Sequence, residues 1–136
     1  MACVDTWLLF LKAHRTLNAK LDKALSYSEL TLSEFSVLEM LRKNGSQPIQ
    51  QIGNCLGLTS GTMTYTVNKL EEKSYIVRKN CTNDHRVYYA SLTDSGQAYI
   101  ENCFAGYYKA MDDIFNKLSP QQQADLSELL YTIIDE

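Results

Sequence analysis

A chain of 136 residues with 45% hydrophobic content is long enough to bury one core and too short for two ordinary ones, so a single domain over 1–136 is expected. Its formal charge of −3, taken whole, speaks against a nucleic-acid partner, and its four scattered cysteines, Cys3, Cys55, Cys81 and Cys103, with no C-x-x-C and no His at ligand spacing, argue against a zinc site or a disulfide framework. The apolar run Trp7 to Leu11 is cut off by Lys12 and the start lacks a basic segment, so neither a membrane span nor a signal peptide is expected, and the chain reads as soluble and cytoplasmic.

From Asp5 to Leu25, Trp7, Leu11, His14, Leu17, Leu21 and Leu25 recur on one stripe at helical spacing. Thr31-Leu32-Ser33-Glu34 has the pattern of a capping box at the start of a second helix. Phe35, Leu38, Met40 and Leu41 form its expected buried side, and Gly45 its stop. A short third helix turns Ile49, Ile52 and Leu56 inward and finishes at Gly57.

Thr59 is the next expected N-cap, opening a helix from Ser60 to about Lys73. At 100° per residue, Met63, Val67 and Leu70 share one side. Gly61, Tyr65, Asn68 and Glu72 fall opposite, flanked by Thr64 and Lys69. This outward face is small, hydroxylic and amide-bearing, which suits the base-edge donors, acceptors and methyl groups of a major groove. Gly61 near the helix start leaves the free amides open to a phosphate.

Ile76 to Asn80 and Val87 to Leu92 are rich in β-branched and aromatic residues and read as a hairpin. Its loop carries Asn83, one titratable cation, His85, and one fixed cation, Arg86, with Asp84 placed to hold the arginine. An arginine at a loop tip is what insertion into a narrow minor groove requires. Helix, turn, helix and hairpin in this order define a winged helix-turn-helix, within a mainly α fold carrying a small β-hairpin wing.

The distribution of charge reverses the impression left by its sum. From Arg42 to Ala90, seven basic residues (Arg42, Lys43, Lys69, Lys73, Arg78, Lys79, Arg86) face three acidic ones (Glu71, Glu72, Asp84), a local +4 that leaves −7 for the flanks. Because potential is screened within ~10 Å at ordinary salt, a basic centre between acidic ends can dock on phosphate. No nucleophile elbow, phosphate-cradling loop, metal signature or paired histidines appear, so the chain reads as a non-enzyme without cofactor or metal.

The run from Leu30 to Gly96 resembles the MarR family of bacterial transcription regulators. The resemblance rests on Thr31-x-x-Glu34-Phe35-x-Val37-Leu38, the helix-turn-helix, Asp84-x-Arg86 and Leu92-Thr93-x-x-Gly96. Thr82 stands where the family commonly has proline, and His85 where it has Arg or Lys. The resemblance implies a two-fold homodimer on a pseudo-palindromic duplex, usually as a repressor, with 31–96 as the DNA-binding lobe and 5–27 and 97–136 as the helical dimerisation region. The residues favour pairing independently. Ile100, Phe104, Tyr107, Met111, Ile114 and Leu118, then, after Ser119-Pro120 as the start of a last helix, Leu126, Leu129, Leu130, Ile133 and Ile134, offer more apolar surface than so small a body can cover alone. Pairing through the ends would set two reading helices one DNA turn apart, ~34 Å.

On this resemblance the interface residues are Thr59, Ser60, Gly61, Thr62, Thr64, Tyr65, Asn68, Lys69, Asn83, His85 and Arg86, with Asp84 stabilising the wing. The resemblance further implies release of DNA by a small phenolic or aromatic effector, for which Trp7, His14, Tyr27, Phe35 and Tyr107 are candidate lining residues. Gln47 to Gly53 with Thr62-Met63-Thr64-Tyr65 looks similar to a branch associated with quinone and catechol response. The alternative trigger is cysteine oxidation, with Cys81 beside the wing cations and Cys3 as candidates; the reactive-cysteine position of the peroxide-sensing branch is held here by Thr6. A winged module that binds protein and not DNA is the competing class of function.

Overall fold

The computed structural model describes residues 2–135, residue 104 through its backbone alone. Among them run α1 (Ala2–Ala24), α2 (Leu32–Asn44), β1 (Gln47–Pro48), α3 (Ile49–Leu56), α4 (Ser60–Glu72), β2 (Ile76–Asn80), β3 (Tyr88–Leu92), α5 (Asp94–Phe115) and α6 (Pro120–Ile134). Two compact units divide the chain, a lobe of Leu25–Ala105 and a helical unit of Met1–Ala24 with Gly106–Glu136. No helix among the described residues is long and apolar enough to cross a membrane.

The lobe is assembled from locally encoded starts and stops. Thr31 caps α2 by accepting the Glu34 amide at 3.2 Å, and the Glu34 carboxylate accepts the Thr31 amide at 3.3 Å, completing the box. Gly57 ends α3 in the left-handed region at φ 68°, where its missing Cβ costs nothing. Phe35, Val37, Leu38, Ile52, Val67, Leu70 and Ile76 form the buried centre. Met40, expected inside, is only half-buried, and Val37 takes its place. At 100° per residue Met40 falls at the rim of an arc centred on Glu34, Leu38 and Leu41.

The hairpin pairs Ile76 with Leu92, Arg78 with Ala90 and Asn80 with Tyr88. A third strand, β1, was not expected; it adds antiparallel to β3 through Gln47 with Ala90 and Pro48 with Tyr89. Proline has no amide to give a neighbour and is tolerated on such an edge. The second hairpin strand starts at Tyr88, one residue later than expected, because Val87 closes the wing turn through its amide to the Asp84 carbonyl at 3.0 Å.

In the helical unit, α6 starts at the expected place. The Ser119 hydroxyl accepts the Gln122 amide at 3.1 Å and Pro120 fills the first turn. Its apolar residues stay bare: Leu129, Ile133 and Ile134 are exposed, and no residue of α6 is buried. The same holds at the start of α1, where Trp7, Leu8, Leu9, Phe10 and Leu11 are all exposed and Leu21 alone is buried. Of the tail stripe, Tyr107 is buried, and Met111, Ile114 and Leu118 are half-buried; the Phe104 side chain lies outside the described residues.

One joint in the lobe fixes where the fourth helix ends. Lacking a glycine, α4 stops with Ser74 at φ 64°, while the Ser74 amide bonds the Glu71 carbonyl at 2.9 Å and the Tyr75 amide bonds that of Leu70 at 3.0 Å. Thr93 grips this turn from the start of α5. Its hydroxyl donates to the Ser74 carbonyl at 2.6 Å, and its amide to that of Tyr75 at 3.1 Å. Tyr75 also stacks on Tyr99 of α5 with ring centroids 4.6 Å apart. Gly96 lies against the same turn so closely that a Cβ there would overlap the Tyr75 carbonyl oxygen. Backbone cannot move aside as a flexible side chain can, so Gly96→Ala is expected to lower unfolding stability by about 1–3 kcal/mol. Urea unfolding checks this; an unchanged midpoint would show that the joint has slack.

Candidate nucleic-acid interface

The outward face of α4 follows from its cap and its amphipathicity. Thr59 accepts the Thr62 amide at 3.2 Å, and its hydroxyl donates to the Thr62 hydroxyl at 2.9 Å. These two candidates are therefore committed in part to the helix start. Inward, Met63, Thr66, Val67 and Leu70 are buried, the Thr66 hydroxyl donating to the Thr62 carbonyl at 2.8 Å. Ser60, Gly61, Thr64, Tyr65 and Asn68 are exposed, Tyr65 to 63%. Lys69 is half-buried, its ammonium 5.5 Å from the Tyr65 ring centroid and 3.7 Å from Glu72. A Cβ on Gly61 would meet nothing within 4 Å, and its φ is not positive, so the lobe itself does not require glycine there.

At the wing, Asp84 braces Arg86 three times. It accepts the Arg86 amide at 3.0 Å on Oδ1, and the guanidinium Nε and Nη2 at 3.1 Å each. Despite this brace, the arginine side chain is 91% exposed. The tether directs the cation outward without hiding it. Asn83 and His85 are exposed beside it, and the His85 carbonyl accepts the Asn80 side-chain amide at 2.9 Å, fastening the loop to the strand. First the Arg86 guanidinium and then the Arg86 amide hold the Asp84 carboxyl below its ordinary value of 3.8.

Counting charges along the chain overstates the cations left for a partner. Arg42 is paired with Glu39 at 2.7 Å and Lys73 with Glu34 at 3.0 Å, both acids lying upstream of the basic window. Arg78 is paired with Glu71 at 2.9 Å. Among the described residues, Lys43 and Lys79 make no ion pair, and Lys69 and Arg86 remain presented on α4 and the wing. The cations left for a partner are thus few, with Lys69 and Arg86 the ones carried by α4 and the wing loop.

Sequence reasoning missed a cleft of about 320 Å³ between α3, α4 and the wing, lined by Ile49, Ser60, Met63, Thr64, Arg78 and Tyr88 among others. Its parts come from segments up to 40 positions apart, beyond any local pattern. The five effector candidates do not share one unit: Trp7, His14 and Tyr107 belong to the helical unit, Tyr27 and Phe35 to the lobe. Phe35 is fully buried; Trp7, His14 and Tyr27 are exposed. The Tyr27 hydroxyl donates to the Cys103 carbonyl at 3.2 Å, and His14 shares a 3.2 Å hydrogen bond with Asn18. Cys3 is exposed and Cys81 half-buried, both as free thiols.

Helix, turn, capped second helix and braced wing together constitute a winged helix-turn-helix. The MarR family model matches residues 30–88. The chain is 34% identical to the HTH-type transcriptional regulator MhqR of Bacillus subtilis over 91% of its own length and 86% of that protein's. Two solved structures resemble it in fold. Sco3205, a MarR family regulator from Streptomyces coelicolor in complex with DNA, has a TM-score of 0.83 at 23% identity, covering 94% of this chain and 82% of that one. Bordetella bronchiseptica BpsR, whose DNA binding is regulated by 6-hydroxynicotinic acid, has 0.81 at 21%, covering 94% and 91%. The chain belongs to the MarR family of transcriptional regulators.

Because the Asp84 value is depressed in the folded wing, the brace is complete above the ordinary carboxylate range and is lost as pH falls through the lowered value. Replacing Arg86 with Ala should therefore move the Asp84 titration upward toward 3.8, read by carboxyl-carbon NMR. An unmoved titration would mean that the brace does not form in solution.

Proposed function

We propose that this protein is a homodimeric, sequence-specific DNA-binding regulator that acts by occupying a pseudo-palindromic operator, with repression through occlusion of promoter DNA as the outcome. The α4 face Ser60, Gly61, Thr64, Tyr65, Asn68 and Lys69, with Thr59 and Thr62 at its capped start, enters the major groove. Arg86, flanked by Asn83 and His85 and aimed by Asp84, reaches the adjacent minor groove. The observation that carries this reading is the pairing of an exposed, nearly uncharged helix face with a braced but 91% exposed arginine on the neighbouring wing. A face that was merely solvated would be expected to carry more Lys and Glu.

Homodimerisation is supported by the bare apolar residues of α1 and α6, since surfaces of this kind mark interaction sites. In this arrangement 31–96 form the reading lobe and 5–27 with 97–136 the pairing region, the protein works in the cytoplasm, and no catalysis is involved. A small aromatic effector is the proposed trigger for release. Its support is the cleft beside the α4 face, where Met63 and Tyr88 offer apolar contact and Arg78, held by Glu71 at 2.9 Å, would exchange that partner for an effector carboxylate or phenolate.

The open space at Gly61 separates stability from function. Alanine is about 1 kcal/mol better than glycine within a helix, and nothing obstructs its methyl group, so Gly61→Ala should raise or preserve the melting temperature while weakening duplex binding. Equal or tighter binding would contradict a close approach by phosphate. Binding to an operator selected from random duplexes should fall ~10³-fold or more between 50 and 200 mM salt, as expected for about six or more phosphate contacts. Arg86→Ala should weaken binding to all duplexes, whereas Thr64→Ala and Asn68→Ala should change the preferred sequence. A flat salt dependence would favour the protein-binding module instead.

A further inference from the structure

Glu34 occupies the centre of the buried arc of α2, an unusual place for a carboxylate, with only 7% of its side chain exposed. Its two oxygens do different work. Oε1 accepts the Thr31 amide at 3.3 Å and the Thr31 hydroxyl at 3.1 Å, closing the α2 cap. Oε2 accepts the Lys73 ammonium at 3.0 Å, and that ammonium also donates to the Glu29 carbonyl at 3.1 Å. Lys73 is the residue at which α4 ends. One carboxylate thereby joins the first turn of the supporting helix to the last turn of the reading helix.

We infer that the Glu34–Lys73 pair is a positioning device for sequence readout, an inference that rests on the DNA-reading role proposed above. Thr93 ties the turn after α4 to α5 and Arg78 pairs with Glu71 on its wing side, but against α2 the other contacts of α4 are largely apolar: Met63, Val67 and Leu70 on its inner side, within a core shared with Val37, Leu38 and Leu41. Such burial is non-directional and tolerates small axial slips of one helix on another. Base-edge hydrogen bonds do not tolerate them, because distance and angle windows are narrow. A charge-assisted bond with two fixed acceptors at the helix end removes that slip. The same device need not raise net stability, since a neutral, well-packed replacement often folds as well as a buried ion pair.

That separation supplies the test. E34Q keeps an oxygen for the capping box and removes the charge; K73M leaves the carboxylate without its cation. Each single variant is expected to melt below the parent, whereas E34Q/K73M, neutral and still capped, should recover most of the melting temperature. Affinities are measured for an operator selected with the parent protein and for a random duplex of equal length. The double variant should lose about tenfold or more in the operator-to-random ratio, the size of one misread base pair, with random-duplex binding nearly unchanged. Recovery of the ratio together with the melting temperature would overturn the inference and leave the pair as plain scaffolding. Equal losses on both duplexes, with a salt slope lower by about one, would also overturn it and make Lys73 a phosphate contact. If the parent selects no operator, the DNA reading itself fails and this inference falls with it.

Discussion

The contact of the Tyr75 carbonyl with the backbone of Gly96 constrains the lobe more than any other single feature. At that point the chain leaving the reading helix touches the start of α5, with no room between them for even one methyl group. Thr93 binds both carbonyls of the turn, Tyr75 stacks on Tyr99, and β2 begins at the next residue, Ile76. The end of α4, the start of the wing and the start of α5 are thus specified together. The direction of the reading face and the place of Arg86 beside it follow from that joint, which gives a physical reason for the Leu92-Thr93-x-x-Gly96 pattern.

Electrostatics act here more by subtraction than by accumulation. Three of the seven basic residues in the central window are paired with Glu39, Glu34 and Glu71 inside the lobe. Each such pair trades nonspecific attraction for geometry. In the proposed DNA-reading role, fewer loose cations would limit sequence-independent adhesion to phosphate and leave more of the discrimination to the uncharged face of α4.

Features encoded within one turn were legible in the sequence. The caps at Thr31, Thr59 and Ser119 and the stop at Gly57 each depend on residues within a few positions, so chain order alone located them. The inward and outward sides of α4 were legible for the same reason. Features requiring two distant segments were not. The strand at Gln47–Pro48 exists only because β3 lies alongside it. Glu34 was recognised as a cap but not as the partner of Lys73, 39 positions away, and Val37 replaced Met40 inside because the buried arc is set by what packs against it. The cleft beside Arg78 needed the hairpin and two helices to be assembled before it existed.

Ser74 carries a last implication. Where α3 ends at a glycine that adopts the left-handed turn freely, α4 ends at a residue that pays on the order of 1 kcal/mol to do so. That expense is met from outside the helix, by the Thr93 hydroxyl on the Ser74 carbonyl. The boundary of the reading helix is consequently a property of the assembled lobe and not of the peptide. During folding it should sharpen only once the hairpin has returned and delivered Thr93, so a nascent chain that stops short of that residue would carry a frayed, undefined end where the finished protein has a fixed one.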